Sequence, residues 1–260
     1  MTILDKIVEQ KLREIKFAKS HTSTEELQQS TFFNRECYNL NEFILNDGRN
    51  GVIAEFKRAS PSKGIINDTA EVQDVAKAYA ASNVSAISVL TDNVFFKGFR
   101  EDLMQARTAV DIPLLRKDFM LDEYQVLEAK AWGADIILLI AAILSPERIK
   151  TLAAFAKNLG LNILLEVHNQ EELDRSICDD LTAIGVNNRN LADFTVSLEH
   201  SYELVSLIPD EFLKVSESGI SNTDTINELK SAGFNGFLIG ENFMKESDPA
   251  QAVKEFTGRL

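Results

Sequence analysis

The run Ile53-Ala54-Glu55-Phe56-Lys57-Arg58-Ala59-Ser60-Pro61-Ser62-Lys63-Gly64 joins an acid and a base to a basic, hydroxyl-rich turn. Alternate side chains of a strand share a face, so Ile53, Glu55 and Lys57 point one way and Ala54 and Phe56 the other. Charges are rarely buried unless paired, which leaves two readings: a structural ion pair or a functional pocket. Arg58, Ser60, Ser62 and Lys63 are all able to bind phosphate, and Gly64 lets the backbone approach closely. Polar clusters recur along the chain at Arg116-Lys117-Asp118-Phe119, Leu164-Leu165-Glu166-Val167-His168, Gly185-Val186-Asn187-Asn188-Arg189-Asn190, Ser216-Glu217-Ser218-Gly219-Ile220 and Leu238-Ile239-Gly240-Glu241-Asn242. Lysines and carboxylates move protons, and amides and backbone N–H groups hold anions.

Each cluster follows an apolar, strand-like run: 52–57, 86–90, 113–115, 135–140, 162–166, 182–186, 213–216 and 236–239. Between the runs lie helical patterns at 71–81, 100–109, 122–132, 146–158, 170–177, 200–207, 222–230 and 248–257. Caps mark several starts (Asp122, Ser145-Pro146, Asn222) and glycines several ends (Gly133, Gly160, Gly233). Continuous apolar strands alternating with helices predict a parallel sheet, and about eight β-then-α units predict a single (β/α)8 TIM barrel domain over 1–260. An open doubly wound sheet is the alternative, but its GxGxxG turn is missing, as is a Walker loop.

Ile3, Leu4, Ile7, Val8, Leu12 and Ile15 predict an amphipathic first helix, and 20–50 a polar connector with one short helix. Residues 1–50 are thus an N-terminal helical extension and 51–260 the barrel. In such barrels the chemistry sits at the carboxyl ends of the strands, where these clusters fall. The loops after strands seven and eight, Ser218-Gly219 and Gly240-Glu241, suit a phosphate site built from backbone N–H groups; simple tight turns are the bland alternative. Glu241 would contribute its amide there, with its carboxylate pointing away.

A formal net charge of −13 over 260 residues argues against nucleic-acid or anionic-membrane partners. Local convergence of cations at 57–63 and 116–117 would still admit an anionic small molecule. Cys37 and Cys178 lack metal-type spacing and read as free thiols, and the scattered His21, His168 and His200 do not predict a metal site. No signal-peptide core precedes residue 20, and Ile136–Leu144 is too short to span a bilayer, so a cytoplasmic protein is expected.

Together, Ala54–Gly64, Leu115-Arg116-Lys117-Asp118-Phe119, Leu165–His168, Gly185–Leu191, Ser216–Ile220 and Phe237–Glu241 resemble the indole-3-glycerol phosphate synthase family over nearly the whole chain. The resemblance implies cofactor-free, metal-free ring closure, decarboxylation and dehydration of 1-(2-carboxyphenylamino)-1-deoxyribulose 5-phosphate in tryptophan biosynthesis. Its only expected partner is that phosphorylated small molecule, with the chain a monomer or weak homodimer.

By the same resemblance Lys117 is the general acid and Glu166 works in acid/base steps of dehydration. Glu55 and Asn187 position or polarise the substrate, and Lys57 lies near its carboxylate and phosphate side. Ser60, Ser218, Gly219 and Gly240, with Glu241, match the phosphate site, and Arg189 and Glu217 are supporting polar residues. Phe96, Phe119 and Leu138 form the apolar wall. A lysine desolvated near other cations is expected to have a lowered pKa, suiting Lys117 as an acid. His168 is expected either outside the barrel face that Glu166 occupies or in the loop after the strand, and Trp132 in packing. The competing readings are phosphoribosylanthranilate isomerase, another barrel enzyme on a phosphorylated sugar, and a catalytically silent phosphate-binding barrel.

Overall fold

The computed structural model describes residues 2–190 and 194–260. Among them eight parallel strands close into a barrel: β1 (Val52–Phe56), β2 (Ala86–Leu90), β3 (Leu114–Lys117), β4 (Ile136–Ile140), β5 (Asn162–Val167), β6 (Ala183–Asn187), β7 (Leu213–Glu217) and β8 (Gly236–Ile239). Each pairs with its sequence neighbours, and β1 pairs with β8 to close the ring. The open-sheet alternative is excluded.

Strand β3 runs through Lys117, beyond the expected end at 115, because the charge of Arg116 did not break it. Arg116 faces outward, where Glu128 (3.1 Å), Asp118 (3.0 Å) and the Gln125 carbonyl (2.8 Å) satisfy its guanidinium and the Trp132 ring lies 4.0 Å from it. Arg116 therefore supplies no charge to the barrel interior, and Trp132 packs as expected.

The barrel is wrapped by α4 (Val72–Ala81), α5 (Asn93–Phe96), α6 (Arg100–Ala109), α7 (Glu123–Ala131), α8 (Pro146–Asn158), α9 (Gln170–Ser176), α10 (Glu199–Leu204), α11 (Thr223–Ala232), α12 (Glu241–Met244) and α13 (Pro249–Thr257). Outward residues such as Ala54, Phe56, Leu114, Leu165 and Val186 form the layer between strands and helices. Inward residues such as Ile53, Leu115, Leu138, Leu164 and Val215 fill the barrel.

The extension holds α1 (Ile3–His21), α2 (Thr24–Gln28) and α3 (Leu40–Ile44), one short helix more than expected because Ser23 and Asn39 both supply caps. Leu40 and Ile44 of α3 join the amino ends of the strands in the interior core, while Ile7 of α1 joins it at the carboxyl ends with Phe119 and Ile140. The buried line on α1 is Ile7, Lys11 and Ile15, whereas Leu12 is 55% exposed. A lysine in the middle of that line is buried because acids on the barrel receive it.

Candidate active site

Five strands end their inward-facing series on a polar residue: Glu55 on β1, Lys117 on β3, Glu166 on β5, Asn187 on β6 and Glu217 on β7. Period-two geometry puts all of them at one level at the same mouth. They line a cavity of about 150 Å3 with Lys57, Ser60, Phe96, Phe119, Leu138, Arg189, Ser218 and Glu241. Gly219 and Gly240 line an adjoining cleft of about 480 Å3 that shares Lys57, Arg189, Ser218 and Glu241 with it. Every site residue expected from the sequence is therefore brought to one mouth, and Leu191 lies outside the described residues.

Lys117 is the centre. Its ammonium donates to Glu217 Oε2 at 2.7 Å and to Glu166 Oε2 at 2.9 Å. Burial alone would lower its pKa, but Glu166, Glu217 and Glu55 outweigh burial and hold it above the ordinary lysine value. The expectation of a lysine acidified by neighbouring cations is overturned, since its neighbours are carboxylates. Glu217 bears the strain of that crowding. Burial first, with repulsion from Glu166 and Glu55, pushes its carboxyl up to about 7 despite Lys117. One of its oxygens, Oε1, is buried with no hydrogen-bond partner.

Glu166 is better served. Asn187 Nδ2 donates to its Oε1 at 3.0 Å, and burial is overcome by Lys117, His168 and that amide, which keep it ionised below the usual carboxylate range. The Asn187 amide is itself oriented: its Oδ1 accepts from Ser218 Oγ (2.9 Å) and the Arg189 N–H (3.1 Å). Glu55 accepts from Lys57 Nζ at 2.6 Å and from Ser88 Oγ at 3.3 Å.

Two glycines make room for these acids. A Cβ at 185 would stand 2.2 Å from Glu217 Oε1, and one at 240 would stand 2.6 Å from Glu55 Oε1. Gly219 has φ +81°, a left-handed conformation that favours glycine.

Two charged residues, one basic and one acidic, do not act as expected. Arg58 turns away to pair with Asp102 and lie over the Phe56 ring, 4.8 Å away, lining neither cavity. The Glu241 carboxylate does not point away; it sits 3.6 Å from Lys63 and 3.7 Å from Arg189. His168 lies in the loop, one residue beyond β5, as one of the two expectations had it, yet it is not turned away from Glu166: its Nε2 stands 3.5 Å from Glu166 Oε1.

Sequence reasoning missed the roof. Ile3, Leu4 and Ile7 of α1 line the cavity opposite the acids. The legible signal was Lys11, a charge in the middle of an apolar helical line.

A model of the family described as indole-3-glycerol phosphate synthase matches residues 4–256. The chain belongs to the indole-3-glycerol phosphate synthase family. It is 43% identical over 254 residues to the indole-3-glycerol phosphate synthase of Bacteroides thetaiotaomicron, covering 98% of this chain and 97% of that protein. The protein of that name from Campylobacter jejuni is 41% identical over 256 residues, covering 97% and 98%. Beyond the indole-3-glycerol phosphate synthases, the solved thiamine phosphate pyrophosphorylase of Pyrococcus furiosus shares the fold, with a TM-score of 0.59 at 20% identity over 85% of this chain and 96% of that one.

Proposed function

We infer that the chain is a carbon–carbon lyase of tryptophan biosynthesis that converts 1-(2-carboxyphenylamino)-1-deoxyribulose 5-phosphate to indole-3-glycerol phosphate, carbon dioxide and water. The observation that carries the site reading is the Lys117 ammonium held between Glu166 and Glu217 on the floor of a cavity walled by Phe96, Phe119 and Leu138.

Attack of the electron-rich ring carbon on the ketone needs a proton on the ketone oxygen as charge develops. Lys117 is the donor. Its pKa is raised, so it is charged at neutral pH, and transfer becomes favourable as the oxygen turns basic along the reaction. Substrate binding draws Lys117 from its carboxylates towards that oxygen. The substrate carboxylate leaves as carbon dioxide, a step that an apolar surround favours over a cationic one, because neutralisation by cations would stabilise the starting charge. Phe96 and Phe119, in contact with ring centroids 6.0 Å apart, form one wall against the aromatic ring, and Lys57, engaged by Glu55, stays near the carboxylate without fully neutralising it. Glu166 then exchanges the proton of dehydration, oriented by Asn187.

The phosphate is remote from the reacting atoms and anchors the substrate chain. Backbone N–H groups after β7 and β8 at Gly219 and Gly240-Glu241, with Ser218 and, from the adjoining cavity, Ser60, form its seat, and Lys63 and Arg189 are released from Glu241 to meet it. Holding both ends of a flexible substrate supplies the entropic part of the acceleration.

Contacts of α1 and α3 with opposite ends of the barrel support one domain. Free Cys37 and Cys178 favour a cytoplasmic location, and no helix of the described residues is long and apolar enough to cross a membrane.

Incubation with the substrate should produce indole absorbance and fluorescence at a rate unchanged by chelator and dialysis. No indole product would refute the reaction; loss restored by a divalent metal would refute the side-chain mechanism. Formation of substrate from N-(5-phosphoribosyl)anthranilate instead would mark an isomerase.

A further inference from the structure

His168 lines neither cavity, yet it is built into the back of the site. Glu172, in the first turn of α9, accepts the His168 backbone N–H at 2.8 Å and faces ring Nδ1 at 3.1 Å, both through Oε2. A carboxylate oxygen cannot donate, so Nδ1 carries the hydrogen of that contact. The other nitrogen, Nε2, is buried with no hydrogen-bond partner, 3.5 Å from Glu166 Oε1. Two lone pairs facing each other would repel, so the approach is favourable only with a proton on one of them.

The charged groups around the ring agree on where that proton rests. Burial would lower the imidazole pKa, but Glu172 on α9, Glu166 on β5 and Glu217 on β7 raise it above the ordinary value. Lys117 on β3 faces Glu166 and keeps that acid ionised, while Arg175 on α9 lowers the pKa of Glu172. The resting state is thus an imidazolium beside a carboxylate.

We propose that His168 is a positioning residue that stores a proton behind Glu166 and passes it forward when Glu166 protonates the leaving hydroxyl. This rests on the dehydration role of Glu166 inferred above. The trigger is Lys117. While it binds Glu166 Oε2, the carboxylate holds no proton; once Lys117 turns to the substrate, Glu166 loses its strongest cation and its proton affinity rises. The Nε2–H bond then breaks and an O–H bond forms on Glu166. That bond breaks in turn as the substrate C–O bond breaks and water leaves; the C–H bond on the neighbouring ring carbon then breaks to form the indole double bond, and its proton goes to solvent. Solvent recharges the imidazole, whose side chain is 12% exposed.

The test compares the full-length wild type with His168→Gln and Glu172→Gln by kcat against pH and by histidine NMR titration. The wild type should show an alkaline limb in kcat with a midpoint above the ordinary histidine value. Glu172→Gln should move that midpoint to lower pH, because the imidazolium loses an anion. His168→Gln should lose the limb and lower kcat by roughly tenfold, less than the 10²–10⁴-fold of a lost general acid, with KM within about twofold.

The NMR titration needs no turnover. The His168 pKa should lie above the ordinary value and fall in both Glu172→Gln and Glu166→Gln. An unmoved kcat midpoint in Glu172→Gln, or a His168 pKa indifferent to both carboxylates, overturns the proposal. A wild type that turns over normally alongside either result leaves the parent reaction standing, whereas a wild type that makes no indole product removes both.

Discussion

Lys11, on the first helix, and Asp118, the residue after Lys117, form a buried ion pair of 2.8 Å that ties the N-terminal extension to the mouth of the barrel. Asp92 at 2.9 Å and Glu14 at 2.7 Å complete the shell of Lys11. Burial opposes the charge of Asp118, but Lys11 and Arg116 overcome it and hold the carboxyl well below the usual range. The helix that roofs the cavity is therefore locked to the segment that carries its central lysine.

Lys11→Met should leave Asp92 and Asp118 buried beside one cation fewer. Breaking a buried pair from one side costs about 3–5 kcal/mol, to be read in urea unfolding. With α1 loosened, KM should rise through the loss of Ile3, Leu4 and Ile7 from the roof. Asp118 has a depressed folded pKa, so its contribution is present above the unfolded value of 3.8 and lost as pH falls through the folded one. Without Lys11 the folded pKa rises, and acid unfolding should begin at higher pH. Unchanged stability and unchanged KM together would show that the pair does not anchor the roof.

Lys117→Met should bind substrate nearly as well as wild type but lower kcat by roughly 10²–10⁴-fold, the range for a lost general acid. Glu166→Gln should also slow turnover, at dehydration, because an amide cannot exchange the proton. Single-turnover experiments with substrate labelled in its carboxylate separate the two: the glutamine variant should still release carbon dioxide and the methionine variant almost none. Full-speed release by Lys117→Met would remove it as the acid of ring closure.

Glu217→Gln should trade activity for stability. The Glu217 carboxyl is pushed up to about 7 in the fold from an ordinary 4.5, so the folded state holds the proton more tightly than the unfolded chain between those values. Stability therefore falls as pH rises from 4.5 to 7, and the penalty stays in full above it. Glutamine mimics the protonated acid and escapes that penalty. Its melting temperature should exceed that of wild type at pH 8 by a few degrees, with little difference at pH 4. A variant less stable than wild type at pH 8 would show that Lys117 needs the Glu217 charge more than the fold resents it.

Gly219→Val should weaken the phosphate seat. Its φ of +81° is strained for a β-branched residue, and a Cβ there would meet Val196 Cγ1 at 2.7 Å. KM should rise by roughly tenfold or more with a smaller change in kcat. Inorganic phosphate should compete with substrate in the wild type. A variant KM within about twofold would place the phosphate elsewhere.

The alternation of apolar runs and helical patterns was enough to read a (β/α)8 barrel, because strand and helix periods are local properties of the chain. The same logic located the mouth: Glu55, Lys117, Glu166, Asn187 and Glu217 all end the inward-facing series of a strand. What local patterns do not contain is which charges meet. Arg58 and Arg116 looked like anion-binding residues, yet Asp102 in one case and Glu128 and Asp118 in the other draw them to the outer face.

The sequence by itself determined the ring of polar strand ends, since parity along each strand is enough to aim them into one mouth. Only the tertiary structure decided that Lys117 lies among acids and not cations, which reverses the direction of its pKa shift. Only it brought α1 over the cavity through Lys11, and set His168 between Glu172 and Glu166. Electrostatic energy depends on distances of a few ångströms between side chains far apart in sequence, and those distances exist only after the barrel has closed.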